Sequence, residues 1–265
     1  MEGVIVPVVP TSHGSDVHYR ITGSGPRLLL VHGSTSDSAS NFALMEPLLS
    51  QDRTLVLPDY AGSADTPLPP GGELTIGMLA DQMAAVVRAT STTAVDVAGA
   101  SLGAVVAAAL AADHPELVRR LVLVVGWARN DDPRQEMALG LWRRLADTDP
   151  RAYGQYITVL AHSPEHLAGL EPKELQALAE AAEPTEGARR QLDLDLTVDI
   201  RSRIPRIKAP TLVVGASRDQ VIPVHHAREL HAGIAGSRYA ELDSGHNVLL
   251  EQPQQLASLI DGFLT

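Results

Sequence analysis

The chain holds 265 residues, 45% of them hydrophobic, with a formal net charge of -11 and no cysteine. That is enough apolar material for one main domain with room for an insertion. The acidic balance, with no basic stretch interleaved with aromatics, argues against a nucleic-acid surface, and the missing thiols exclude disulfides, thiolate catalysis and cysteine-bound zinc. Met1–Pro10 carry Glu2 and two prolines instead of a basic segment followed by an apolar helix, so no signal peptide is expected. The apolar run Ala104–Ala112 is too short to span a membrane. A cytoplasmic protein acting on a small molecule is the expectation; the oligomeric state is not legible.

In chain order, Val17–Ile21 and Arg27–Val31 read as strands, the second almost wholly apolar as a buried sheet member would be. Phe42, Met45, Leu48 and Leu49 mark a helix stripe, capped by Ser40 or Asn41, before a strand at Thr54–Leu57. A pattern starting after Thr75 puts Ile76, Leu79, Met83, Val86 and Val87 on one helix face. A short strand over Ala94–Ala98 leads through Gly99-Ala100-Ser101-Leu102-Gly103 into a small-residue helix over Ala104–Ala112, then a strand at Leu121–Val125. This alternation predicts a mostly parallel sheet with helices on both faces.

The rhythm breaks between about Trp127 and Ile204, where candidate helices at Glu136–Leu145, Arg151–Leu160, Pro172–Ala182 and Ala188–Leu196 follow one another without a strand. The expected layout is a core of residues 1–127 and 205–265 with a helical insertion at 128–204. Alternation resumes with a strand at Thr211–Val214, a helix over Val224–Leu230, a strand at Tyr239–Leu242 and a last helix over Pro253–Phe263. Pro253 suits the first turn of that helix, where its missing N–H costs nothing.

Four features converge past the carboxyl ends of predicted strands, where open parallel sheets place their ligand crevices. Ser101 lies in a strand–turn–helix setting whose tight turn needs the small neighbours Gly99 and Gly103. His32-Gly33-Ser34-Thr35 follows the strand ending at Val31, Asp219 follows the strand at Thr211–Val214, and His246 stands between the last strand and the last helix.

Serine, acid and histidine in that order make the chain resemble the α/β-hydrolase family over nearly its full length. The loop Asp59-Tyr60-Ala61-Gly62-Ser63 is similar to the family's too, although a second glycine is usual where Ala64 stands. The resemblance implies an α/β-hydrolase fold with 128–204 as a helical cap, and it implies roles. Ser101 would be the nucleophile, His246 its base, and Asp219 the carboxylate that holds the imidazole in the correct tautomer. Asp131 or Asp132 is an alternative acid, because some hydrolases place it after the preceding strand. The backbone N–H groups of Ser34 and Leu102 would form the oxyanion hole. His32 is expected to be structural.

No cofactor and no metal are expected: His162 and His166, and His226 and His231, have suggestive spacing but no Asp, Glu or Cys framework, and solvent-facing histidines are the reading. Pocket candidates are Gly33, Thr35, Asn41, Trp127, Trp142 and Asn247, with Leu141 and Leu145 as further cap residues. The expected reaction is cleavage of a small or medium ester, thioester or lactone through an acyl-enzyme. Three alternatives use the same scaffold. One is a carbon–carbon bond hydrolase, because Ser34–Phe42 resembles the polar loop of enzymes acting on ring-fission products. Those enzymes carry more glycine there, and a tryptophan where this chain has Asn247. The others are a lyase and a non-catalytic ligand-binding protein.

Overall fold

The computed structural model describes residues 7–265, so the first six positions of the expected non-signal N-terminus lie outside it. Eight strands form one sheet: β1 (Val8–Val9), β2 (Val17–Gly23), β3 (Arg27–Val31), β4 (Thr54–Asp59), β5 (Val95–Ala100), β6 (Val118–Val124), β7 (Thr211–Ala216) and β8 (Arg238–Leu242). Their order is β1-β2-β4-β3-β5-β6-β7-β8. The β1–β2 and β2–β4 pairs are antiparallel and the remaining pairs are parallel. Side-chain alternation divides the apolar strands between two cores. Leu29, Val31, Val97, Leu121 and Leu123 face one side of the sheet. Leu28, Leu30, Ala98, Val122 and Val124 face the other. Burial on both faces is why these strands read as continuous apolar runs.

The core helices are α1 (Ser38–Asn41), α2 (Glu46–Leu49), α3 (Ile76–Thr90), α4 (Leu102–Asp113), α10 (His225–Gly233), α11 (Val248–Glu251) and α12 (Pro253–Leu264). Between β6 and β7 come α5 (Pro133–Thr148), α6 (Pro150–Ala161), α7 (Pro164–Ala168), α8 (Pro172–Glu180) and α9 (Glu186–Asp195), the helical cap. The α5, α6 and α7 N-termini are fixed alike, by an Asp or Ser cap followed by proline in the first turn. No helix of the described residues is long and apolar enough to cross a membrane.

Two local expectations need correction. The stripe Phe42–Leu49 is not one helix: α1 ends before it at Asn41, Phe42 and Met45 stand at the cap positions of α1 and α2, and only Leu48 and Leu49 are helical, in α2. Pro47 in the middle of a continuous helix would remove a hydrogen bond and clash with the carbonyl four residues earlier. The α1 cap is neither Ser40 nor Asn41 but Asp37, which accepts from the Ser40 N–H while Ser40 reaches back in a capping box. The helices α7 and α11, at five and four residues, carry too little periodicity to read from sequence.

Ala64, the position where a glycine is usual, has φ +45°. This left-handed conformation strains any residue with a Cβ. Ala64→Gly is therefore expected to stabilise the fold by about 0.5–1 kcal/mol, net of the extra freedom glycine gives the unfolded chain. A shift of the urea midpoint to higher concentration with an unchanged m-value measures it; a lower midpoint refutes it.

Candidate active site

After β3 the chain crosses to β4 on one side, whereas β5 pairs with β3 on the other. The carboxyl ends of β3 and β5 therefore flank a switch point of the sheet, and the Ser34 and Ser101 loops meet there. The turn at Ser101 has φ +55° and ψ −123°, a conformation that the surroundings must impose. Its neighbours show how tightly it is packed. A Cβ on Gly99 would lie 2.1 Å from the Gly103 carbonyl oxygen, and one on Gly103 would lie 2.1 Å from the Val31 carbonyl oxygen. Leu102 opens α4, so its N–H belongs to the unpaired first turn. Neither it nor the Ser34 N–H has a hydrogen-bond partner among the described residues.

The Ser101 hydroxyl donates to His246 Nε2 at 2.9 Å, and His246 Nδ1–H donates to Asp219 Oδ2 at 2.6 Å. Asp219 is 4% exposed, and its other oxygen accepts the Val221 and Ile222 N–H groups at 2.8 and 2.7 Å. It is thus no surface partner of Arg218, which pairs with Asp243 and Glu165. Asp132, one of the two alternative acids, caps α5 through its Oδ1. Its Oδ2 lies 3.0 Å from His225 Nε2 and 3.8 Å from His226 Nε2. Those three residues offer ligand atoms within 4.8 Å of one another and could hold a metal ion.

The Ser34 loop is held from below and from above. From below, the Gly33 carbonyl accepts from His32 Nδ1–H at 2.8 Å and from the Tyr60 hydroxyl at 2.7 Å, and Gly33 N–H donates to Asn41 Oδ1 at 3.1 Å. His32 is buried and stacked on Tyr60 with ring centroids 3.9 Å apart, and burial lowers its pKa. A neutral ring fixing the loop fits that environment. From above, α9 supplies two buried side chains. Gln191 accepts the Thr35 N–H at 2.6 Å and donates to Ser63 Oγ at 2.8 Å. Asp195 Oδ2 accepts from the Ser34 hydroxyl at 2.6 Å. Burial pushes the Asp195 carboxyl up to about 7, with Ser34 and His246 pulling the other way.

A cavity of ≈ 280 Å³ opens beside Ser101 and His246, and all six pocket candidates, Gly33, Thr35, Asn41, Trp127, Trp142 and Asn247, line it. Of the further cap residues, Leu141 and Leu145 do not; Leu139, one turn before Trp142 on the same α5 face, lines the wall instead. Among the four described non-glycine residues with positive φ, Thr35, Ser101 and Val125 all border this cavity. Strain gathers there because the surrounding contacts over-determine the backbone.

The solvent-facing histidine reading fails for His162 and His226, which are 4% and 2% exposed. His162 is not on a shared helix face with His166, because α6 ends at Ala161. Its Nδ1–H donates to the Thr158 carbonyl at 2.9 Å, leaving Nε2 to accept from Asn247 Nδ2 at 3.1 Å. The structure adds His162, Gln191 and Asp195 to the site. The available signal was that Gln191 and Asp195, four apart, share one face of a short helix.

A family model for the alpha/beta hydrolase fold matches residues 26–253. Pyrrolizixenacetamide deacetylase of Xenorhabdus hominickii is 36% identical over 94% of this chain and 95% of its own length. The 2-hydroxymuconate semialdehyde hydrolase of Pseudomonas sp. strain CF600 is 29% identical over 92% of this chain and 88% of its own. Among solved structures, the enol-lactonase of Burkholderia xenovorans LB400 superposes with a TM-score of 0.84 at 24% identity, covering 97% of this chain and 99% of that one.

Proposed function

The chain belongs to the α/β-hydrolase fold family and is a hydrolytic enzyme of that fold, and from this premise we propose that it cleaves a small neutral acyl compound, an ester or amide, through a Ser101 acyl-enzyme. The observation that carries the reading is the unbroken path Ser101–His246–Asp219 at 2.9 and 2.6 Å.

Ser101 Oγ forms a bond to the acyl carbon as His246 Nε2 takes its proton. Negative charge that builds on the acyl oxygen meets the free N–H groups of Ser34 and Leu102, the second reinforced by the positive end of α4. Collapse breaks the bond to the leaving group, which receives the proton from His246. Water then attacks the acyl-enzyme by the same route in reverse. Asp219, held by two backbone amides, keeps Nδ1 protonated so that Nε2 stays free to accept.

The small cavity favours a compact acyl group. Its lining contains no arginine or lysine among the described residues, which disfavours an anionic substrate. The buried Trp127 and Trp142 indole N–H groups have no partner among the described residues and suit acceptor oxygens of a neutral one. The ester, thioester or lactone expected from sequence is thus widened to amides, in keeping with a relative named for deacetylating an acetamide. Carbon–carbon cleavage is the second reading, favoured by the similarity to the semialdehyde hydrolase.

Labelling with a fluorophosphonate probe tests the nucleophile: wild type is expected to label and Ser101→Ala to show no signal while still folded. Turnover of p-nitrophenyl acyl esters should fall as the acyl chain outgrows the cavity. A protein that turns over only a dienone ring-fission product would transfer the assignment to the second reading.

A further inference from the structure

Asp195 is a costly residue to place where it stands. It is the last residue of α9, the negative end of the helix dipole, and it is 2% exposed. Oδ2 is satisfied by the Ser34 hydroxyl at 2.6 Å, but Oδ1 is buried with no partner among the described residues. The residue borders the cavity, and among the described residues no lysine or arginine lines it to pair with Asp195. A buried polar atom left unmatched is expensive, so a ligand that supplies its partner gains more than one that does not.

We propose that Asp195 Oδ1 is a subsite for an N–H donor carried by the substrate next to the scissile carbonyl, which directs the enzyme to secondary amides. The proposal rests on the acyl-transfer reading and narrows it. The placement follows from Ser34: its hydroxyl binds Asp195 Oδ2 at 2.6 Å, and its own N–H is assigned to the oxyanion. A donor adjacent to the reacting carbonyl is the substrate group that this connection sets beside Asp195. An ester or a tertiary amide has no hydrogen there and leaves Oδ1 unmatched. In the secondary amide the Ser101 Oγ–C bond forms, the C–N bond breaks, and the serine proton passes through His246 to the departing nitrogen, releasing a neutral amine.

At pH 8.5, where the Asp195 carboxyl is ionised and Oδ1 can only accept, the test compares kcat/KM for p-nitroacetanilide with that for its N-methyl analogue, with p-nitrophenyl acetate as a reference ester. The wild-type ratio of secondary to N-methyl anilide is expected to exceed about 30, given what sites built around a hydrogen bond reject. In Asp195→Leu it should fall below about 3, whereas Asp195→Asn, whose amide oxygen can still accept, should retain most of it. Because the readout is a ratio, a general loss from a disturbed Ser34 loop cancels. If the leucine variant does not fold, competitive inhibition of wild-type ester turnover by acetanilide against N-methylacetanilide reads the same preference. A wild-type ratio near 1, a ratio unchanged in the leucine variant, or ester turnover without any anilide turnover overturns the proposal. Ser101 labelling and ester hydrolysis would survive each of those outcomes, so they leave the acyl-enzyme reading standing; loss of labelling would remove both.

Discussion

Asp219→Asn is expected to lower kcat/KM for p-nitrophenyl acetate by about four orders of magnitude, the size seen when a triad carboxylate becomes an amide in serine proteases. The reason is local bookkeeping of donors. Asp219 accepts three hydrogen bonds: two at Oδ1, from the Val221 and Ile222 N–H groups, and one at Oδ2, from His246 Nδ1–H. An asparagine has one oxygen to offer. If that oxygen stays with the backbone amides, the NH₂ group faces Nδ1 and selects the opposite imidazole tautomer, with the proton on Nε2. Nε2 then cannot accept the Ser101 proton, and the 2.9 Å contact loses its catalytic sense. If the amide flips, two buried N–H groups confront an NH₂ and the loop after β7 must shift. Either way the protein should fold and the fluorophosphonate labelling rate should fall in parallel with turnover. A variant within about tenfold of wild type would remove Asp219 from the relay and return the acid role to another carboxylate.

The reacting groups were readable because each is demanded by local chain geometry. A turn that brings Gly103 within 2.1 Å of where a Gly99 Cβ would stand admits almost no other residues, and the strand end that carries Asp219 is announced by the buried apolar run of β7, whereas β8 ahead of His246 is mixed and reads as a strand from its place in the alternation. The cap's part was not readable. Ser34 to Asp195 and Thr35 to Gln191 span 161 and 156 positions, and nothing in a local window distinguishes a glutamine or aspartate aimed at a loop from one facing water. His162 failed for the same reason: its burial comes from docking the end of α6 on the His246 loop, where Asn247 N–H reaches the Ala161 carbonyl at 2.8 Å. Helix limits slipped wherever proline chemistry outweighed an apolar stripe, as at Pro47.

Asp195→Asn should also change how stability depends on pH, and the sign is opposite to that of a salt-bridged carboxylate. Burial raises the folded-state carboxyl from 3.8 to about 7. Between those values the folded protein holds a proton that the unfolded chain has released, so stability falls as pH rises through the window and levels off above it. Below about pH 4 both states are protonated, and the neutral carboxyl bears no ionisation penalty. At about 1.4 kcal/mol per pH unit the swing across this window is at most roughly 4 kcal/mol; the asparagine's own unmatched amide atoms add an offset that is constant with pH and leave the swing unchanged. The groups that face Asp195 are His246, Tyr60 and Tyr153. The two tyrosines stay neutral throughout, since burial raises Tyr60 well above its ordinary 10 and Tyr153 to about 12. Urea unfolding of both proteins from pH 4 to pH 8.5 gives the comparison. The asparagine variant should gain on wild type steadily up to about pH 7 and then run parallel to it. A difference that stays constant across the range would mean that this carboxyl titrates normally, and that water reaches it behind the Ser34 loop.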